Sequence, residues 1–194
     1  MAWPFTPLRM DMLIMMIWYS EKLSEATMTA AVTCTFHCLS PPSGPTLERA
    51  LLLLETIQTQ NSQTVQSVLY DRAKIFFEQF PHIDSVKTQQ GIGEVRSKNV
   101  SKEVEAFSSR LIDILIGPKI REAEPESTRM KRAALAVAYV NCDAASETGR
   151  LTSTLGKWLA SERSRTISET LKRALLAISV SAHDGAPGRG LTAQ

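Results

Sequence analysis

A chain of 194 residues that is 43% hydrophobic is long enough to bury one sizeable core. With 22% charged residues and a formal net charge of only +2, it lacks the bulk electrostatics of a nucleic-acid binder, so no nucleic-acid partner is expected. Three cysteines, Cys34, Cys38 and Cys142, cannot build a disulfide framework and fit a reducing compartment.

In chain order, Pro4 and Pro7 precede a helix over about 8–19, with Leu8, Met12, Met15, Met16 and Tyr19 as its apolar stripe. The run MDMLIMMIWY inside it contains Asp11 and falls well short of the about 20 apolar residues that a spanning helix needs. No small-x-small cleavage site follows at the right distance for a signal peptide, so a cytoplasmic protein is expected. A second helix is expected over about 22–39, stopped by SPPSGP at 40–45.

Thr46 is a candidate N-cap for the helix that follows to about residue 60. TLERALLLLETIQTQ is apolar on nearly all sides, which places it at the centre of the fold. Asn61 and Ser62 break it. Residues 64–79 form the next helix, with Val65, Val68, Leu69, Ile75 and Phe76 facing inward.

The polar loop after FPHID carries Gly91 and Gly93, which permit a positive-φ turn. Phe80 and Ile83 can pin the preceding helix to the core. A long helix over 94–116 carries one stripe of Val100, Val104, Phe107, Leu111, Ile114 and Leu115, and Gly117-Pro118 ends it. Helices follow at 127–141, 150–163 and 166–181, before a tail at 183–194 with the composition of a disordered end. No segment alternates with period two. The fold class is therefore all-α, a right-handed superhelix or solenoid-like stack of about seven to eight short helices.

Charge is uneven along the chain. Residues 1–70 hold three basic and five acidic side chains, a balance of −2 that leaves +4 for the remainder. Residues 129–173 hold nine basic and four acidic side chains, which reads first as a solvated helical face and second as diffuse attraction to anionic surfaces.

Little in the chain looks like catalysis. Cys34, His37 and Cys38 share one helical face as metal ligands would, but a structural zinc needs a fourth ligand and none is near. Core-facing cysteines and a core-facing histidine are the expectation. His82–Asp84 and His183–Asp184 could each be drawn as a base with its orienting carboxylate, yet no nucleophile signature accompanies them. No glycine motif cradles a phosphate. No enzymatic activity, catalytic residue, cofactor or metal is expected. Trp158 and Glu162 spell W-x-x-x-E, a pattern found in bacterial effectors that act on small GTPases. A buried Trp with an i+4 acid at its edge accounts for it equally well.

Six short motifs occur in order between residues 49 and 122: RALLLLE (49–55), QNSQTV (60–65), FPHID (80–84), QQG (89–91), VRSK (95–98) and IRE (120–122). In that order they resemble the epsin N-terminal homology family. The resemblance is best over 46–122. It implies a helical domain over 1–141, additional helices over 142–182 and the tail over 183–194.

It further implies a membrane-trafficking adaptor, associated with clathrin-coated vesicle formation and endocytosis. Its expected partners are a phosphoinositide-containing membrane surface and trafficking proteins such as clathrin coat or SNARE components. It would sit peripherally on plasma membrane, endosome or trans-Golgi. Arg49 stands where the family has a headgroup-binding base, whereas Pro45 and Thr59 replace two others. Met1 falls about where the family's basic amphipathic segment has ended, so lipid binding is expected to be weak. LIDIL at 111–115 lacks the closing acid of a clathrin box and reads as core. The alternative function is an unrelated α-helical repeat that binds other proteins, and a third is a bacterial effector acting on a GTPase.

Overall fold

A computed structural model describes residues 7–19, 23–39, 44–59, 62–80, 102–117, 124–142, 145 and 148–184. Eight helices occur among them: α1 Pro7–Tyr19, α2 Glu25–Cys38, α3 Gly44–Gln58, α4 Gln63–Phe77, α5 Lys102–Ile116, α6 Glu126–Val140, α7 Thr148–Ser161 and α8 Arg165–Asp184. No strand occurs among the described residues, so the all-α solenoid expected from the periodicity is what forms.

Local chemistry explains several of the ends. Ser24 and Ser62 accept the backbone N–H groups of Thr27 and Val65 at 3.2 and 3.3 Å, capping α2 and α4. At the end of α5, a Cβ on Gly117 would lie 2.4 Å from the Asp113 carbonyl oxygen, so only glycine fits there. Thr46, expected as a cap, instead lies inside the first turn of α3, which begins at Gly44. The proposed turn at 81–100, with His82, Ile83, Asp84, Gly91 and Gly93, lies outside the described residues. So do residues 94–101 of the expected long helix and the tail from 185 onward.

The helices sort into two layers by alternation. The odd-numbered helices pack in the order α1, α3, α5, α7, and the even-numbered ones in the order α2, α4, α6, α8. Contacts of α2 with α3, α5 with α6 and α7 with α8 join the layers. Each helix thus packs on its second neighbour in sequence, as stacked helical hairpins require.

Polar bridges follow the same rule. Asp11 pairs with Arg49 (α1–α3), Asp71 with Lys131 (α4–α6) and Asp113 with Arg150 (α5–α7). The Ser62 hydroxyl donates to Glu25 ahead of α4 and at the start of α2. These groups are largely exposed, so each contributes at most about 1 kcal/mol and mainly favours the register.

Between the layers runs an aromatic cluster. Phe76 of α4 meets Phe36 of α2 at 6.1 Å and Phe107 of α5 at 5.5 Å between ring centroids, and Phe77 meets Tyr139 of α6 at 5.2 Å. Phe80 packs on Phe76 at 5.3 Å and so does pin the end of α4. Leu53 and Leu54 are fully buried, in keeping with the central position expected for α3. Leu111, Ile112 and Leu115 of LIDIL are core.

Three expectations about faces are corrected. On α1 the structure buries Met10, Ile14 and Ile17 and exposes Leu8, Met12, Met15 and Met16, the reverse of the expected stripe. The helix is apolar around most of its circumference, so periodicity leaves two stripes of similar strength. Docking on α3, with Asp11 reaching Arg49, selects between them. On α4, Ile75 points to solvent. On α2, Met28, Ala31, Val32, Thr35 and Phe36 form the buried stripe. That choice leaves Cys34 and His37 exposed and Cys38 half-buried rather than in the core.

Candidate interaction surface and its supporting junction

The even layer carries a groove of about 340 Å³ between α4, α6 and α8. Its floor is the outer ridge of α6, where Ala134, Val137 and Ala138 follow at i, i+3 and i+4. Because these side chains are small, the flanking helices stand above them. Lys74 of α4 and Arg173 of α8 form basic points on opposite walls, and Asn141 closes one end. Lys74 is paired with Glu78. Arg173 is exposed and makes no ion pair among the described residues. An apolar floor flanked by the cations Lys74 and Arg173, with Lys74 closely paired to Glu78 and Arg173 sharing the field of Glu169, suits a peptide segment with small apolar side chains and a carboxylate.

A mostly buried polar junction joins α6, α7 and the start of α8. Trp158 of α7 is 1% exposed. Its indole N–H donates to Glu162 Oε2 at 3.0 Å, and the Arg132 guanidinium of α6 lies 4.3 Å from the indole ring centroid. Arg132 in turn pairs with Glu124, NH2 to Oε2 3.1 Å, with both side chains almost wholly buried. Glu162 Oε1 accepts the backbone N–H groups of Arg163 and Ser164 at 3.0 and 2.9 Å, and Arg129 NH2 at 3.3 Å. That carboxylate therefore sits at the start of α8, where the helix dipole favours an anion.

The charge states follow. Burial works to raise the Glu162 pKa, but the Ser164 amide, the Trp158 indole, Arg129 and the Arg163 amide outweigh it and hold the carboxyl below its ordinary value. Burial, reinforced by the nearby Glu124 carboxylate, pushes the Tyr70 phenol up, against smaller opposing effects from Arg132 and Gln58. The W-x-x-x-E letters thus serve the fold. The indole and the acid are spent on each other and on the α7–α8 turn.

The other residues singled out from sequence form no site among the described residues, and His82 and Asp84 lie outside them. Arg49 lies on an exposed face of α3 with Asp11, Nε to Oδ1 2.8 Å, and both side chains nearly half exposed. Among the described residues no cluster of three or more His, Cys, Asp or Glu could hold a metal, and no helix is long and apolar enough to cross a membrane. No charged or aromatic motif in the sequence marks the groove. The signal is in KRAALAVAYV at 131–140, whose small residues Ala134, Val137 and Ala138 recur on a half-buried face.

Two layers of helices, each stacked on its second neighbour, define a helical-repeat solenoid. A family model described as ECM29, C-terminal ARM-like repeats, matches residues 19–177, and the chain belongs to that family. No curated protein and no solved structure matches it.

The family match overturns the resemblance to the epsin N-terminal homology family, and with it the trafficking-adaptor function and the clathrin and endocytosis associations. The physical reason is that both patterns are written in amphipathic helices and the turns between them. Short motifs at helix ends recur by chance in any such stack. QQG, VRSK, IRE and most of FPHID fall in segments outside the described residues, so helix packing gives them no support. The ARM-like match also takes in α7 and most of α8, which the six motifs left out. The headgroup role of Arg49 and the membrane and coat partners were implied by that resemblance alone.

Proposed function

We propose that this chain is a non-enzymatic protein-interaction module, an ARM-like solenoid that docks a short segment of another protein in the α4–α6–α8 groove. One observation carries this reading. The small side chains Ala134, Val137 and Ala138 open an apolar trough beside the cation Arg173. Family membership supports it, since stacked helical repeats offer extended surfaces suited to binding. The preferred occupant carries an aspartate or glutamate for Arg173 and small apolar residues for the trough.

Selection from a randomised peptide library on the intact protein tests this. Acidic peptides with small apolar residues should be enriched. Ala138→Trp, which fills the trough, and Arg173→Glu, which reverses its charge, should each weaken a selected peptide by tenfold or more. Peptides that bind the wild type and both variants equally would refute the groove as the docking site.

A further inference from the structure

The two ends of the solenoid differ. The outward faces of α7 and α8 are dominated by polar side chains, among them Thr152, Ser153, Lys157, Arg165, Glu169 and Lys172. The opposite end is α1, and its outward face is apolar. Leu8 is 69% exposed, Met12 60%, Met15 49%, Met16 47% and Trp18 61%. A helix that is apolar on both sides belongs inside an assembly.

We infer that this face of α1 is covered by the same face of a second copy of this chain, in a two-fold dimer. Three observations favour that occupant. First, the five side chains together expose on the order of 600 Å², at the upper limit of the apolar patch a monomer carries. Two such faces would bury about 1,200 Å², the lower edge of what a specific interface needs.

Second, the other exposed large apolar side chains among the described residues are Leu52, Ile75, Leu176 and Val180, scattered over α3, α4 and α8. They form no patch of matching extent, so the complementary surface on this molecule is the stripe itself. A self-complementary patch gives a closed two-fold contact rather than a head-to-tail fibre.

Third, the charges at its edges permit it. Asp11 is neutralised within its own molecule by Arg49. Arg9 lies near the start of the 13-residue helix, which is about 20 Å long. Antiparallel pairing therefore sets the two copies' Arg9 side chains at opposite ends of the contact. The methionines contribute flexible, polarizable side chains that can mould to one another.

Sedimentation equilibrium on the full 194-residue chain between about 1 and 100 µM decides the matter. The expected mass rises with concentration from that of the 21.4 kDa chain to twice that value. Met12→Glu and Met15→Glu should each shift the midpoint at least tenfold to higher concentration, with unchanged helical circular dichroism. Their melting temperatures should also be unchanged at concentrations where the wild type is monomeric, because both positions face solvent in the monomer. Leu176→Glu should leave the midpoint in place. A monomer throughout the range, or a dimer indifferent to Met12→Glu and Met15→Glu, would overturn the inference whatever the groove binds. The wild-type measurement stands alone should a variant fail to fold.

Discussion

The guanidinium of Arg132 lies 4.3 Å from the indole centroid of Trp158, and this stacked pair joins α6 to α7 in a fold whose helices otherwise meet mainly within their own layer. Arg132 also faces Glu124 at 3.1 Å, so one cation serves a ring and a carboxylate inside the protein.

The first prediction concerns that cation. Arg132→Met leaves the Glu124 charge buried without its partner and should cost about 3–5 kcal/mol in urea unfolding. Arg132→Met with Glu124→Leu removes both charges and should recover most of that loss, ending within about 2 kcal/mol of the wild type, the remainder reflecting the lost ring contact. A double variant as unstable as the single one would show that the ion pair is not what sets the cost.

Glu162 yields a pH prediction. Its carboxyl is held below the ordinary 4.5 in the fold, so the unfolded chain binds the proton first as the pH falls. The stabilisation is complete above that ordinary value and is lost as the pH drops through the lower, folded value. Wild type and Glu162→Gln should therefore differ by a constant amount between pH 6 and 8, and the gap should narrow below about pH 4.5. Chemical denaturation across pH 3–8 checks this. A gap that stays constant at pH 3 would mean that the carboxylate's charge is not the stabilising feature.

Two neighbouring hydrophobic helices should respond oppositely to truncation. Leu53→Ala, at a fully buried position on α3, should cost roughly 2–5 kcal/mol. Ile75→Ala, on the outward face of α4, should change stability by no more than about 0.5 kcal/mol. Comparable losses at the two sites would contradict the assignment of the buried faces.

The helices themselves were legible in the sequence, because 3.6-residue periodicity and turn residues act over a few positions. The serine at 62, the glycine at 117 and the all-round apolar α3 each did locally what their chemistry requires. The groove was only half legible. Its small residues can be read in KRAALAVAYV, but their exposure depends on which neighbours flank α6.

What the sequence by itself determined was an all-α chain of about seven to eight helical segments with a leucine-rich one at the centre. The buried stripe of α5 followed from periodicity, with Val104, Phe107, Leu111 and Leu115 in the core. The tertiary structure decided the faces of the ambiguous segments, and it reversed the expectation at α1, Ile75, Cys34 and His37. A helix with two apolar stripes holds no local record of its partner. The choice belongs to the helix two places along the chain, and for α1 that choice was made by α3, with Arg49 holding Asp11 at the edge and leaving Met12, Met15 and Met16 to the outside.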